Sequence, residues 1–347
     1  MTTIYLIRHA EAEGNLYRIA QGQYDGVLTR RGYEQLKALR RRFEGVDLAA
    51  VYSSDLFRAR TTARAVSEPR GLTVQLCPEL REVHMGIWEG RTWQEIERED
   101  PEGMEHFTVR PDLWQVPGAE APADVARRMI GKLKEIARAH PNEAVAAVSH
   151  GAALRITVGV LQGLTLEEVG KTHHSDNTAV TKLVWDGNSL QVEYRDDSSH
   201  LVREGDANLE GHKWWNAEKM FSNGPDYMPM DDTAAAALAQ AGLDPVPREG
   251  ECIAVWHDGK PVGVVQLLGR EGTAGRIGTY WMAPSFRGHG LGIAPMGQAV
   301  LRYRAAGCDR LRLRCGAEVA PFFEKYGFVP LPSGELEQYI GYEEQPI

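Results

Sequence analysis

The stretch Ile4-Tyr5-Leu6-Ile7-Arg8-His9-Ala10-Glu11-Ala12-Glu13-Gly14-Asn15 runs from four apolar residues into a charged turn, and the architecture of the first two-thirds of the chain follows from it. An unbroken apolar run from Ile4 to Ile7 suits a strand covered on both faces within a parallel sheet. Gly14-Asn15 ends the pattern. Arg8-His9 therefore falls where the strand runs out, and in open α/β sheets the carboxyl ends of strands are where ligands bind. A cation beside an imidazole at that place points to an anionic substrate and to a nucleophile or proton carrier.

Working outward, Thr29 can cap a helix reaching about residue 43. Pro122 opens a second, over 123–140, in which Val125, Met129, Leu133 and Ile136 recur at helical spacing. Strand-like runs at 49–53, 72–77, 144–148, 179–185 and 190–194 fall between and after them, which predicts a helix-covered, mostly parallel sheet. Arg40-Arg41-Arg42 lies on the first helix beside Leu39 and Phe43 and reads as a solvated face.

Three further motifs follow apolar runs: Ser53-Ser54-Asp55-Leu56-Phe57-Arg58-Ala59-Arg60-Thr61-Thr62-Ala63, Leu80-Arg81-Glu82-Val83-His84-Met85-Gly86-Ile87-Trp88-Glu89-Gly90, and Val148-Ser149-His150-Gly151. Together with Arg8-His9 and in this order they resemble the histidine phosphatase, or phosphoglycerate mutase-like, superfamily over residues 1–201, which end in Asp197-Ser198-Ser199-His200-Leu201. The resemblance implies a three-layer α/β/α domain and a role for each matching position. His9 would attack phosphorus as a neutral imidazole and carry a phosphohistidine. Arg8 and Arg58 would bind phosphate oxygens through planar donor forks, and His150 would add a donor as charge builds. Glu82 would give a proton to the leaving oxygen and then activate water, with partial burial and the nearby dianion keeping it protonated. Asn15, Gln21 and Gly22 match positions at the substrate mouth. No metal is expected, because arginine and histidine supply the positive charge. His84 reads as a loop residue, and the adjacent His173-His174 as structural or solvent-facing.

Mutases of this superfamily carry a longer insertion after the glutamate motif. Here residues 92–122 alone separate that motif from the next helix, which favours a phosphomonoesterase over a mutase-like phosphotransferase. Trp88, Trp93, His106 and Trp114 are the candidates for shaping the substrate cavity from this cap.

At 347 residues the chain exceeds what one core usually fills, roughly 250–300 residues, so a second domain is expected. Periodicity disappears over 202–225, read as a linker whose Trp214-Trp215 pair docks on a domain. From 226 a short strand, an alanine-rich helix over 231–241 and strands at 253–256 and 261–268 follow, the last two joined by the hairpin signal Asp258-Gly259. A strand over 276–282, the run Arg287-Gly288-His289-Gly290-Leu291-Gly292 opening a helix to about 306, a strand over 311–315, and Phe322-Phe323-Glu324-Lys325-Tyr326-Gly327-Phe328 complete it. This segment, 226–347, resembles the GCN5-related N-acetyltransferase (GNAT) family, an α+β fold with a mixed sheet. The resemblance implies acetyl-CoA as co-substrate, held by Met282, Arg287, Gly288, His289, Gly290, Leu291 and Gly292, and a small-molecule amine as acceptor. Phe323 stands where the family usually has a proton-donating tyrosine, and Gly316 where it often has asparagine. Glu271 or a water chain would have to serve as base, with Tyr326 a distant substitute for the acid. Two readings stand: a working N-acetyltransferase, or an acyl-CoA-binding module that regulates the phosphatase.

A net charge of −9 argues against general nucleic-acid binding, which needs lysine and arginine to neutralise phosphates. Apolar runs too short to cross a bilayer and the lack of a secretory leader pattern predict a cytoplasmic protein without a membrane partner. Cys77, Cys252, Cys308 and Cys315 are scattered, without zinc spacing, and are expected to be reduced.

Overall fold

The computed structural model describes residues 1–202, 208–210, 224–288 and 290–347. Trp214-Trp215 and His289 lie outside the described residues. In the first part, β1 (Thr2–Arg8), α1 (Glu13–Tyr17), α2 (Arg30–Arg42), β2 (Ala50–Ser53), α3 (Phe57–Ser67) and β3 (Val74–Leu76) come first. Then follow α4 (Trp93–Glu99), α5 (Pro101–Val109), α6 (Pro122–Ala139), β4 (Ala144–Ser149), α7 (Gly151–Leu161), α8 (Leu166–Val169), β5 (Val180–Trp185) and β6 (Leu190–Asp197).

The six strands form one sheet in the order β3-β2-β4-β1-β5-β6. Strands β1, β2, β3 and β4 pair in parallel, whereas β5 and β6 run antiparallel at one edge. Alternate residues face opposite layers. Ile4, Leu6, Val145 and Ala147 pack under α6 and α7, while Ile7, Val51, Ala146 and Val148 pack under α2 and α3. This two-sided burial is why the strands read as continuous apolar runs. Thr29 caps α2 by accepting from the Gly32 amide, and Pro122 occupies the first turn of α6, as their sequence positions predict.

In the second part, β7 (Asp226–Pro229), α9 (Asp232–Gln240), β8 (Glu251–His257), β9 (Lys260–Glu271), β10 (Ala274–Met282), α10 (Met296–Ala305), β11 (Arg310–Leu313), α11 (Ala320–Lys325), β12 (Val329–Pro330) and β13 (Leu336–Tyr339) give a seven-stranded sheet. Its order is β12-β13-β11-β10-β9-β8-β7, mixed because β10 and β11 alone are parallel. Asp258 and Gly259 both adopt positive φ and close the β8–β9 hairpin.

One expectation fails here. The helix after the glycine-rich run starts at Met296, not at the glycines. Gly288 and Gly290 sit at φ +83 and +76, outside helical space, and successive i→i+3 bonds lead into the helix instead. Pro295, which disfavours helical backbone in the residue before it, delays the helix further.

The two parts share a core. Tyr17 and Ile19, from α1 and the loop after it, pack with Met296, Val300 and Phe323 in the cluster of the second sheet. Among the described residues no helix is long and apolar enough to cross a membrane.

Candidate active site

The carboxyl ends of β1, β2 and β4 bring their terminal residues together, as parallel neighbours must. β1 delivers Arg8 and His9, β2 leads to Ser54, and β4 leads to His150. All are buried: His9 is 3 % exposed and His150 0 %. Their imidazole centroids lie 5.1 Å apart.

His9 is held in one tautomer. Its Nδ1 lies 2.7 Å from the Ala10 carbonyl, which can only accept, so Nδ1 carries the hydrogen and Nε2 keeps its lone pair. Asn177 donates to the His9 carbonyl at 2.9 Å, and the Ala10 amide donates to the Thr62 hydroxyl at 2.9 Å, fixing the backbone on either side. Burial, then the Arg58 and Arg8 guanidinia, push the His9 imidazole well below its usual value. It is neutral at pH 7.

Arg58, 1 % exposed, donates to the Tyr24 carbonyl at 3.0 Å and to the Gly22 carbonyl at 2.6 Å, while its Nε has no hydrogen-bond partner among the described residues. Arg8 donates to the Ser175 carbonyl. His150 places Nε2 2.8 Å from the Ser54 hydroxyl and leaves Nδ1 buried without a hydrogen-bond partner among the described residues. Burial first, then Arg58 and His9, hold it well below its ordinary value.

Glu82 accepts backbone N–H groups from Val83 (2.9 Å), Ala153 (2.7 Å) and Ala152 (3.1 Å). The last two belong to the first turn of α7, where the helix dipole also favours negative charge. These three N–H donors fix the position of its two carboxyl oxygens. The neighbouring carboxylate Glu89 is engaged by the Gln23 and Met85 amides, which separates it from the site's chemistry.

Asn15, Gln21 and Gly22 line the same pocket as His9, Arg58 and Glu82. The Asn15 Oδ1 accepts from the Ala12 amide and so fixes the start of α1. The outer wall is apolar, built from Ile19, Met85, Trp93, Met104 and Phe107. Of the four cap residues singled out in the sequence, Trp93 alone lines this pocket. Trp88 and Trp114 are 1 % and 4 % exposed, packed against Phe107 as core, and His106 does not line the pocket. Met104, Phe107 and Thr108 were missed, although their i, i+3, i+4 spacing marks one face of α5. His174 was missed as well: it lines the pocket and accepts from Arg155 at 3.2 Å, where a structural or solvent place was expected. Among the described residues no cluster of three or more histidine, cysteine or acidic groups could hold a metal.

In the second sheet β10 pairs with β11 only over 274–277 and then continues to Met282 against β9, so the two parallel strands part toward the glycine-rich run. At Gly290 an added Cβ would meet nothing within 4 Å, so the backbone there is open on that side. These features fit an acyl-CoA pyrophosphate. The Arg287 Nε donates to the Met282 carbonyl at 2.8 Å, and Leu291 is buried. Phe323 is 2 % exposed and packs on Tyr280 and Phe328 as core. Glu271 is misplaced as a base: it pairs with Ala274 and Arg276 at the opposite end of β10 from Met282, about 25 Å away at strand rise.

Comparison with known proteins finds two family matches in the chain. The family described as histidine phosphatase superfamily (branch 1) matches residues 4–198, and the acetyltransferase (GNAT) family matches 212–328. A probable phosphoglycerate mutase GpmB from Erwinia tasmaniensis is 30% identical over 206 residues, 58% of this chain and 95% of that protein. Phosphoserine phosphatase 1 from Hydrogenobacter thermophilus is 32% identical over 168 residues, 48% of this chain and 80% of that protein. Among solved structures, Bacillus stearothermophilus YhfR superposes with a TM-score of 0.56 at 34% identity, covering 58% of this chain and 99% of its own. A mycobacterial glucosyl-3-phosphoglycerate phosphatase gives 0.53 at 26% identity, covering 56% and 99%.

Proposed function

This chain belongs to the histidine phosphatase superfamily and carries a GNAT acetyltransferase domain, and from that premise we propose that it hydrolyses phosphomonoesters through a phosphohistidine on His9. The observation that carries the reading is the His9 ring itself: neutral, with Nδ1 tied to the Ala10 carbonyl and Nε2 unprotonated between two guanidinia.

In the first step the Nε2–P bond forms as the bond to the leaving oxygen breaks. Arg8, Arg58 and His150 Nδ1 take up the phosphoryl oxygens' charge. Glu82 gives its proton to the leaving oxygen. Glu82 enters this step as the carboxylic acid, its proton taken from solvent, and leaves it as the carboxylate. In the second step Glu82 takes a proton from water as the water oxygen bonds to phosphorus, and the N–P bond breaks to release phosphate.

The apolar outer wall supports hydrolysis of a small metabolite ester with a largely apolar body. A mutase-like transfer, suggested by the GpmB relatives, would take a carboxylate-bearing phosphoglycerate, and the cationic side chains of this pocket are Arg8 and Arg58 at the phosphate end. Acid-labile phosphate trapped on the protein from an aryl phosphate, absent in His9→Ala, tests the mechanism. Wild-type turnover in His9→Ala would refute it. Interconversion of phosphoglycerates faster than phosphate release would establish the mutase instead.

The proposed division is 1–201 and 226–347, joined by 202–225. Within the second domain, acetyl-CoA would be held by the Gly290 and Gly292 backbone with Arg287 and Met282, and when bound it supplies an acyl thioester for transfer to an amine. Buried Phe323 cannot protonate a thiolate, and remote Glu271 cannot deprotonate the amine, which supports the second reading of an acyl-CoA-binding regulatory module. Acetyl transfer to any amine in a screen would restore the enzyme reading.

A further inference from the structure

The loop that carries Asn15, Gln21 and Gly22 has two sides. One lines the phosphatase pocket; the other rests on the GNAT domain. Glu13, the residue before Gly14 and Asn15, is 5 % exposed, and its carboxylate receives both terminal nitrogens of Arg304 from α10, at 2.5 and 2.9 Å. Arg304 also donates to the Tyr24 hydroxyl at 3.1 Å, and through Nε and Nη2 to the Ile340 carbonyl at 3.0 and 2.7 Å. A bidentate pair of this kind fixes direction as well as distance.

The remaining contacts converge on the same loop. Tyr342 donates its hydroxyl to the Asp25 carbonyl at 2.8 Å and sets its ring edge-on to Phe57, the neighbour of Arg58. An added Cβ on Gly297 of α10 would come within 2.6 Å of the Tyr17 Cβ, so helix and loop are in close contact. Ile19 lines the pocket and at the same time belongs to the GNAT core cluster. The mouth loop is in turn paired with the cap. Ile19 bridges Thr92, and the Trp93 amide donates to the Arg18 carbonyl at 3.0 Å. Arg98 on α4 pairs with Asp226 on β7 at 2.9 Å.

The path to the phosphate site is short. Arg58 takes its orientation from the Gly22 and Tyr24 carbonyls, and Tyr24 is the residue whose hydroxyl Arg304 holds. We infer that Arg304 and Tyr342 of the GNAT domain are positioning residues of the phosphatase, setting the substrate loop and through it the Arg58 fork. The GNAT domain then braces, from behind, the loop that lines the first domain's active site. This rests on the phosphomonoesterase reading.

The test is steady-state hydrolysis of an aryl phosphate and competitive inhibition by orthovanadate, in the full chain. Arg304→Lys keeps the charge and loses the fork, and Tyr342→Phe keeps the ring and loses the hydroxyl. Misplacing Arg58 by a fraction of an ångström weakens phosphoryl binding, so KM and the vanadate inhibition constant should rise together, by about tenfold for Arg304→Lys and about threefold for Tyr342→Phe. The melting temperature and kcat should change much less. A merely structural role would lower the active fraction, moving kcat with KM and the inhibition constant intact. Arg304→Met with Glu13→Gln removes both buried charges together and should keep the fold while vanadate affinity still falls. Unchanged KM and vanadate inhibition in both single variants would overturn the inference. An inactive wild type would instead refute the phosphatase reading on which it rests.

Discussion

Replacing Glu82 by glutamine isolates the proton-transfer step, and the structure sets the size of each effect. The carboxylate accepts from Val83 and Ala153 through one oxygen and from Ala152 through the other. A glutamine that keeps its carbonyl on the first pair turns its NH2 toward the Ala152 N–H, so one hydrogen bond is lost. Leaving that donor unsatisfied costs about 1–3 kcal/mol. For a domain of this size the melting temperature should fall by roughly 2–12 °C, leaving the protein folded at 25 °C. The chemical effect is larger and selective. General acid catalysis contributes about 10²–10⁴-fold, about 2.7–5.4 kcal/mol of barrier, but only where the leaving oxygen needs a proton. An alkyl phosphate should therefore lose about 10²–10⁴ in kcat/KM, whereas p-nitrophenyl phosphate, whose phenolate departs unaided, should stay within about tenfold. The assay is phosphate release from both esters by wild type and Glu82→Gln at matched pH. Equal losses for the two esters would refute the acid role, because a distorted site has no reason to tell leaving groups apart. No loss for either would remove Glu82 from the chemistry.

The remaining expectations are shorter. His9, His150 and His174 are all pushed well below their ordinary value by burial, and His200 to about 4, so the unfolded chain takes up protons before the folded one as pH falls. Folding stability should drop as pH falls through about 6.5, by about 1.4 kcal/mol per pH unit for each such histidine, with the His200 share levelling off near pH 4. Urea denaturation from pH 8 to pH 5 measures it, and a flat profile contradicts neutral burial. Met104→Lys places an ammonium on the apolar wall and should raise kcat/KM for phosphoserine relative to naphthyl phosphate about tenfold; an unchanged ratio would show that this wall does not meet the substrate. Calorimetric titration of acetyl-CoA into the full chain should show saturable one-to-one binding, lost in Gly290→Glu, which puts a side chain and a negative charge on a backbone at φ +76. Absence of wild-type binding would leave the GNAT domain a structural part of the phosphatase.

Motif order and period carried most of the architecture. Ile4 to Ile7 and 144–148 are buried on both faces, so their apolar runs were local evidence of a covered parallel strand, and Arg8, His9 and His150 had to emerge together at the strand ends. The cap was harder to read. Trp88 and Trp114 look like ligand-facing aromatics in one dimension, but they are large enough to form the cap's own core, which leaves Met104 and Phe107 to face the cavity. In the glycine-rich run the positive φ of Gly288 and Gly290 moves the start of the following helix to Met296, which the glycine spacing alone did not show.

What the sequence by itself determined was the pair of families the chain resembles and the residues, His9, Arg8, Arg58, His150 and Glu82, proposed for the chemistry. Those identities rest on residue types in a fixed order along single strands and turns, where neighbours in sequence are neighbours in space. Only the tertiary structure decided the tautomer of His9, the donors around Glu82, the place of His174 beside the cavity, and the reach of Arg304 across 291 positions to Glu13. Each of these depends on elements far apart in the chain being packed side by side, and no local period or spacing encodes which buried partner a charged or polar side chain will find.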